Sequence, residues 1–331
     1  MKTIKRNNLI GQSLLLLATV IWGSSFVVLK NAIDSLPPLY VIAIRFLVSG
    51  LIVSVIFIKK IVKMQKGTLL RGALLGLMLG LAYVTQTIGL SHTTPGRNAF
   101  LTAIYCMLCP FFAWAIMKQR PKNYHVAAVA ISMAGIALIT LSGEGDGGAD
   151  RLLGDAFTLT CTVFNALHVV LIAHFKEKND DNACLLSVEL LTVGIIAAAY
   201  TAIFELPECG INAYAIGRDQ IFNVVYLTLV CTLVAQACLM AGQKLAESPA
   251  QSAIILSFEA VFGVFFSVAF GYESITVKLG CGFALVFVAM LISELKIDLL
   301  KPFKNKKDVQ KDGECGQSPS EKVHESPETE K

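Results

Sequence analysis

Glu259 lies inside an apolar segment of the chain, and its carboxyl group is the first candidate for chemistry. At about 1.5 Å per residue it lies roughly 15 Å from the start of that segment, near the middle of a bilayer about 30 Å thick. An ionisable group at this depth is costly unless it faces a protein interior or a water-filled cavity. We therefore predict that Glu259 is a counter-ion for a substrate ammonium group or a proton carrier. A hydrogen bond that locks two helices together is the structural alternative.

Arg45 is a second charged residue within an apolar segment. Its guanidinium group keeps its charge, so it must be solvated, paired with an anion or able to reach the interface. Two interpretations remain open: Arg45 binds a substrate carboxylate, or it forms a structural pair with a glutamate.

Uncharged and titratable polar groups also occur at membrane depth. Asn165 and His168 are three residues apart and share one helix face, and a histidine there can relay protons near neutral pH. A hydrogen bond between helices is the alternative for His168. Gln236 is a further polar candidate, whereas Glu189 is close enough to the end of its segment for its side chain to reach water.

Three aromatic residues complete the candidate site: Trp22, Tyr83 and Tyr105. Their rings could line a cavity and stack on a substrate, although packing between helices is the alternative. Trp22 is the strongest of them, because it falls near the midplane and not in the interfacial belt where membrane proteins concentrate Trp and Tyr. Gly76 and Gly80 should permit close helix approach, and Pro110 should bend its helix.

The elements that carry these residues are apolar segments of about 20 residues. The 331-residue chain is 55% hydrophobic and 16% charged, which excludes an ordinary soluble domain and indicates a polytopic all-α membrane protein. We predict ten transmembrane helices at about residues 10–30, 38–58, 69–90, 98–117, 123–142, 153–174, 183–204, 220–241, 249–271 and 275–295.

Charge distribution predicts the orientation. Most of the 28 lysines and arginines fall on the side of the N-terminus, so both termini should be cytoplasmic. Residues 1–9 form the cytoplasmic N-terminus, and residues 296–331 have little to bury and should form a disordered cytoplasmic tail. Compact loops and the basic cytoplasmic side favour a bacterial plasma membrane, that is, an inner membrane.

Two halves of the chain are weakly similar, at residues 10–142 and 153–295. Aligning Gly11 with Gly154 also pairs Thr19 with Thr162. In the second part of each half, Asn98 pairs with Ser248, and Arg120 falls opposite Glu273. Each half has five predicted helices, an odd number, so the second half should be inserted upside down. Such inverted repeats are typical of secondary transporters, which bind substrate near the midplane.

Several motifs resemble the EamA family of the drug/metabolite transporter superfamily. They are WGSSFVV, AIRFLVSG, GLSHTTPGRNAFLTAIYCMLCPFFAW, GDAFTLTCTVFNALHVV and QKLAESPAQSAIILSFEAVFG followed by GYESIT. The chain departs from the family pattern at Ala260, where proline is frequent, and at Arg120, where glutamate is frequent. The resemblance implies a ten-helix carrier of two inverted five-helix repeats, often an exporter of amino acids, other metabolites or toxic compounds.

The sequence therefore predicts a secondary transporter that moves a small metabolite by alternating access. Export is favoured and uptake is the alternative. We find no nucleotide-binding loop, metal-ligand cluster or nucleophile–base pair in the sequence, so we expect no enzyme activity, no cofactor and no nucleic-acid partner. The expected partners are a small-molecule substrate, the lipid bilayer and protons. An intramembrane enzyme and a sensor are the alternatives from other classes.

Overall fold

The computed structural model describes residues 2–118, 120–141, 148–175, 178, 180–245 and 249–295. Within these ranges the side chains of residues 2–7, 139–141, 148, 243, 244, 249–254, 293 and 294 are outside the description. The predicted tail, residues 296–331, also lies outside it. The described residues form helices and no strand, in agreement with the all-α prediction.

Fourteen α-helices account for most of the described residues. In chain order they are α1 (Lys2–Ile33), α2 (Pro38–Ile56), α3 (Ile58–Ile61), α4 (Lys66–Ser91), α5 (Pro95–Thr102), α6 (Tyr105–Met117), α7 (Asn123–Leu141), α8 (Gly148–Phe175), α9 (Asn182–Tyr200), α10 (Leu206–Cys209), α11 (Arg218–Val225), α12 (Ala235–Leu245), α13 (Pro249–Ala269) and α14 (Val277–Glu294). The π-helical segment Thr201–Glu205 joins α9 to α10, a 3₁₀ turn follows at Ile211–Tyr214, and the π-helical segment Tyr226–Val234 joins α11 to α12.

Seven helical stretches in the described part of the chain are long and apolar enough to cross a membrane. They are Asn8–Ile33, Pro38–Ile56, Lys66–Ser91, Pro95–Met117, Ala149–Phe175, Asn182–Cys209 and Arg218–Gly242. Three shorter apolar helices, Asn123–Leu138, Ile255–Ala269 and Val277–Ile292, coincide with the other predicted spans. A polytopic helical membrane protein is therefore confirmed, and the number ten stays a prediction.

Helix packing brings the two halves of the chain together. α1 packs against α12 and α13, α2 against α9, and α4 against both α8 and α9. α13 also packs against α5, and α7 against α14. Most of these helix pairs join one half of the chain to the other, so the interior of the bundle lies between the halves.

Gly76 and Gly80 of α4 allow the close approach to α9 that their spacing predicts. A Cβ atom on Gly76 would lie 2.5 Å from Thr192 Cβ and 2.7 Å from the Glu189 carbonyl oxygen. A Cβ atom on Gly80 would lie 3.0 Å from the tip of the flexible Ile196 side chain. The contacts at Gly76 are with a backbone oxygen and a branched Cβ, which cannot easily move. The contact at Gly80 is with the tip of a flexible side chain, which can move away.

We therefore expect Gly76→Ala to destabilise the protein more than Gly80→Ala. Overpacking of this kind typically costs about 1–3 kcal/mol. The measurement is the melting temperature of each purified variant in detergent, with Gly80→Ala as the matched control on the same helix. Equal melting temperatures for the two variants would show that the α4–α9 contact does not depend on Gly76.

The span Pro95–Met117 is broken between α5 and α6, at Ala103 and Ile104. Across the break the amides of Cys106 and Met107 bond to carbonyls three residues back, at 3.2 and 2.9 Å. Pro110, within α6, has no N–H to donate to the carbonyl of Cys106. The helix is thus interrupted nearly two turns before the proline, and a bend at Pro110 itself stays a prediction. The interruption places the end of α5 and the start of α6 against the centre of the bundle.

Ion pairs mark one end of the bundle, which we call the Arg71 end. Arg71 donates from Nε and Nη2 to the two carboxylate oxygens of Asp180, both at 2.6 Å, and Lys60 Nζ lies 2.8 Å from Asp181 Oδ2. The Arg71 side chain lowers the pKa of the Asp180 carboxyl below its ordinary value. These pairs tie the start of α4 and α3 to the connection between α8 and α9.

Candidate functional site

A cavity lies in the middle of the bundle, between helices of both halves. It offers about 80 Å³ to the centres of water molecules, and roughly 10–15 Å³ of such space holds one water, so it can hold several. Its walls come from α1, α2, α4, α5, α6, α8, α12 and α13. All eight residues predicted from the sequence line it: Trp22, Arg45, Tyr83, Tyr105, Asn165, His168, Gln236 and Glu259.

Glu259 projects from α13 into this cavity. The neighbouring turn of α13 is fixed in place, because Phe262 packs against Gly23 of α1 and Gly263 against Ala99 of α5. Glu259 is half-buried, and within the described residues its carboxylate has no hydrogen bond or ion pair. The helix-locking hydrogen bond considered from the sequence therefore has no counterpart in this part of the chain. The carboxylate is free to meet a ligand or water.

Arg45 of α2 also lines the cavity, with only 1% of its surface exposed. Its Nε donates to Thr232 Oγ1, and its Nη2 donates to the Cys231 carbonyl at 3.2 Å. The guanidinium carbon also lies 5.2 Å from the centre of the Tyr83 ring.

No described carboxylate lies within ion-pair distance of Arg45, so the structural pairing with a glutamate is not found there. Arginine has five N–H donors, and only two have protein acceptors among the described residues. The other donors are available to an anion.

His168, Glu189 and Gln236 form a hydrogen-bonded group beside the cavity. His168 Nε2 lies 3.0 Å from Glu189 Oε1, and Gln236 Nε2 donates to the same oxygen at 3.2 Å. The expectation that Glu189 reaches water was wrong, because only 1% of its surface is exposed. Position along α9 indicated its depth correctly, but the sequence did not show that α4, α8 and α12 would cover it.

The aromatic candidates line the cavity while also making structural contacts. Trp22 Nε1 donates to the Cys231 carbonyl at 3.1 Å, and the Tyr83 ring meets the Phe46 ring edge-on, with centroids 4.7 Å apart. Tyr105 begins α6 directly after the helix break. Each ring therefore has a fixed orientation and still presents surface to the cavity.

Three polar residues of the cavity wall, Ser25, Gln86 and Thr102, were not among the predicted site residues. Gln86 of α4 donates to Thr102 Oγ1 of α5 at 3.1 Å, and both residues line the cavity. Gln86 could have been found by the criterion that selected Gln236, namely a polar side chain at membrane depth. No group of three or more His, Cys, Asp or Glu side chains among the described residues could hold a metal ion.

The opposite end of the bundle, which we call the Arg97 end, is closed by buried polar contacts. Arg97 at the start of α5 donates to both oxygens of Asp155 on α8, at 2.7 and 2.5 Å, and both residues are at least 95% buried. Thr94 Oγ1 donates to Glu273 Oε1 at 2.7 Å. Gly96 makes room for the other Glu273 oxygen, which lies 2.0 Å from where a Cβ atom would be.

Glu273 should make closure at the Arg97 end sensitive to pH. Burial raises the pKa of the Glu273 carboxyl above its ordinary value, so the folded protein favours the neutral form. The resulting stability is fully present below the ordinary pKa of glutamate, near about 4.3, and is lost as pH rises through the raised folded-state value.

We expect Glu273→Gln to melt at a higher temperature than the wild type at pH 7.5, because the amide is neutral at every pH. The difference should vanish near pH 4, where the wild-type carboxyl is also neutral. Melting curves of detergent-solubilised protein across this range test the prediction. A constant difference at all pH values would contradict it.

Apolar helices around a central cavity with charged lining residues are typical of membrane transporters. Large apolar side chains such as Val55, Ile195 and Phe265 are more than half exposed on the outer surface of the bundle, where lipid would cover them. Comparison with known proteins narrows the class. Residues 9–141 match the model of the EamA-like transporter family, which confirms the family resemblance for this part of the chain.

Several proteins of similar sequence are named as transporters. An uncharacterized transporter of Archaeoglobus fulgidus is 28% identical over 284 residues, which cover 86% of this chain and 85% of the relative. The uncharacterized transporter YvbV of Bacillus subtilis is 28% identical over 57% of this chain and 64% of its own length. The uncharacterized inner membrane transporter YedA of Escherichia coli K12 is 25% identical over 38% and 42%.

One solved crystal structure has the same fold. It covers 89% of this chain and 99% of its own, with a TM-score of 0.61 and 16% sequence identity. This likeness covers nearly the whole length of both chains, so it extends the fold relationship beyond the residues that the family model matches.

Proposed function

We propose that this protein is a ten-span secondary carrier that exports a small metabolite across a bacterial plasma membrane by alternating access. Its two five-helix repeats are inverted, and both termini are cytoplasmic. The substrate carries both a positive and a negative group, as an amino acid does. The observation that carries the proposal is a single cavity with a carboxylate and a guanidinium group that lack ion-pair partners among the described residues.

The helix contacts support the inverted repeat. Exchanging the halves replaces α1 by α8, α2 by α9, α4 by the continuous helix from α11 to α12, α5–α6 by α13, and α7 by α14. Under this exchange the α4–α8 contact becomes the contact between α12 and α1, and the α1–α13 contact becomes the contact of α8 with α5 and α6. The α2–α9 and α7–α14 contacts map onto themselves. A two-fold axis in the membrane plane would produce this pattern.

The charges of the cavity support a substrate of mixed charge. Glu259 would bind an ammonium group, and Arg45 would bind a carboxylate through its free N–H donors. Trp22, Tyr83 and Tyr105 would stack on the remainder of the substrate, and Asn165 with Gln236 would hydrogen-bond its polar atoms. A ligand with both charges satisfies two buried ionic groups at once. A ligand with one charge leaves the other group without a counter-ion, which is costly for a guanidinium group as buried as that of Arg45.

The two ends of the bundle support alternating access. The Arg97 end is closed by the Arg97–Asp155 pair and by Glu273. The cavity wall extends along α8 as far as Ile172, three residues before the helix ends at Phe175, or roughly 5 Å at the rise of an α-helix. The cavity therefore comes within a few residues of a helix end at the Arg71 end, and through Leu29 it comes similarly close to the end of α1 at the Arg97 end. With cytoplasmic termini the Arg71 end is the cytoplasmic end, and a substrate would enter there for export.

The test is a metabolite profile of the growth medium of cells that produce either the wild type or Glu259→Gln at equal membrane levels. Glu208→Gln is the matched control, because Glu208 is an exposed glutamate outside the cavity. We expect a compound with amine and carboxylate groups to be enriched in the medium with wild type and Glu208→Gln but not with Glu259→Gln. Depletion of such a compound instead would reverse the proposed direction to uptake. The same medium in all three strains would overturn the carrier proposal.

A further inference from the structure

Glu189 and His168 combine an acid and a base within the membrane-embedded part of the bundle. Both side chains are at least 95% buried, and Nε2 and Oε1 are 3.0 Å apart. Burying an ionic pair is expensive, and two amide side chains would hold α8 and α9 together at lower cost. A histidine next to a carboxylate is instead the combination that takes up and releases one proton near neutral pH.

The pair is in contact with the cavity. His168 and Gln236 line the cavity wall, and Glu189 lies behind them, bonded to both. Other titratable or charged groups face this region from the surrounding helices: Arg45 from α2, Tyr83 from α4, Cys231 from the π-helical segment before α12, and Glu259 from α13. A proton on the pair is thus within electrostatic reach of the groups that would hold a substrate.

We propose that His168 and Glu189 together form a proton-binding site that is separate from the substrate contacts of Glu259 and Arg45. One proton binds to the pair and the same proton leaves it, with no other bond formed or broken. Gln236 carries the state of the site to α12, because its amide donates to the oxygen that protonation would change. Proton binding by this pair does not depend on the proposed function, and only the coupling of that proton to transport rests on it.

The net charge of the groups around the cavity depends on whether a proton is bound. With both glutamates ionised, Arg45 positive and His168 neutral, the cavity groups carry a net charge of minus one, and a substrate with both charges does not change that sum. One bound proton makes the sum zero. Moving an uncharged site through the membrane costs less than moving a charged one. Because a substrate with both charges leaves this sum unchanged, a bound proton would ease the movement of the loaded and the empty carrier alike, and the direction of coupling is set by whether the substrate and the proton bind together or in turn.

The test measures proton binding without any substrate. The full-length protein, labelled with ¹⁵N-histidine, is placed in lipid nanodiscs and titrated from pH 5 to 9 by NMR. The chain has five histidines, and the His168 signal is assigned as the one lost in His168→Gln. We expect it to follow a one-proton transition whose midpoint moves by about one pH unit or more in Glu189→Gln, because a charged neighbour within hydrogen-bond distance has effects of this size.

His174→Gln is the matched control, because His174 is exposed on the same helix and lies outside the cavity wall. It should leave the His168 transition unchanged. A His168 signal that titrates identically in the wild type and in Glu189→Gln, or that does not titrate in this range, would overturn the proposal.

A second measurement avoids dependence on a variant that fails to fold. In the wild type, infrared difference spectra should show protonation of a buried carboxyl with the same midpoint as the His168 transition, because coupled groups share their titration steps. Different midpoints would also overturn the proposal. A coupled transition together with an unchanged metabolite profile would support the proton site while contradicting the transporter proposal.

Discussion

Glu259→Gln is expected to reduce export of the enriched compound at least tenfold while leaving the protein in the membrane at its wild-type level. The amide has the shape of the carboxylate but cannot balance a substrate ammonium group. Removing one partner of a desolvated charge pair costs about 2–5 kcal/mol, which is well above the 1.4 kcal/mol that corresponds to a factor of ten. The measurement is the initial rate of efflux from preloaded cells.

Stability distinguishes this effect from a folding defect. No described protein group pairs with the Glu259 carboxylate, so its removal leaves no protein charge unsatisfied. Glu259→Gln should therefore melt at or slightly above the wild-type temperature. Efflux by Glu259→Gln at the rate of the Glu208→Gln control would remove Glu259 from the substrate site. Efflux with a normal pH dependence would remove it from proton coupling.

Arg97→Gln is expected to have the largest effect on stability, a loss of about 3–5 kcal/mol. It leaves the buried Asp155 carboxylate without its cation, and an unpaired buried charge costs that much. Both hydrogen bonds between the two side chains connect α5 to α8, so the Arg97 end should also lose its closure. Denaturant unfolding of the purified protein in detergent measures the first effect.

The double variant Arg97→Gln with Asp155→Asn distinguishes the effect of an unpaired buried charge from the effect of losing the contact between the two side chains. Both amides are neutral and can hydrogen-bond to each other, so the double variant should recover much of the lost stability. Arg218→Gln, at an exposed arginine, is the control and should be neutral. If Arg97→Gln is as stable as Arg218→Gln, the ion pair does not contribute to stability and helix packing alone holds α5 against α8.

The eight candidate residues could be predicted because depth in a membrane is readable from sequence. A rise of about 1.5 Å per residue places Arg45, His168 and Glu259 well inside apolar helices, and a polar group there must face the interior of the bundle. Since many of these helices surround the central cavity, selecting polar residues by depth also selected its lining.

What could not be predicted depends on which helices become neighbours. Glu189 was taken to reach water because its distance from the helix end is short, but Gly76 lets α4 approach α9 so closely that the side chain is covered. The pairing of Arg97 with Asp155 likewise joins residues 58 positions apart, on helices whose contact no local pattern encodes.

Because the helix is broken at Ala103 and Ile104, α5 and α6 do not form one rigid helix and can move relative to each other. A continuous α-helix resists bending because each turn is bonded to the next, whereas at this break the amides of Cys106 and Met107 bond to carbonyls only three residues back. α5 contacts α13 and α8 and carries Arg97, whereas α6 contacts α8 further along its length. A movement of α5 about this two-residue joint would separate Arg97 from Asp155, and because Ala99 of α5 packs directly against Gly263, it would require α13 to move as well.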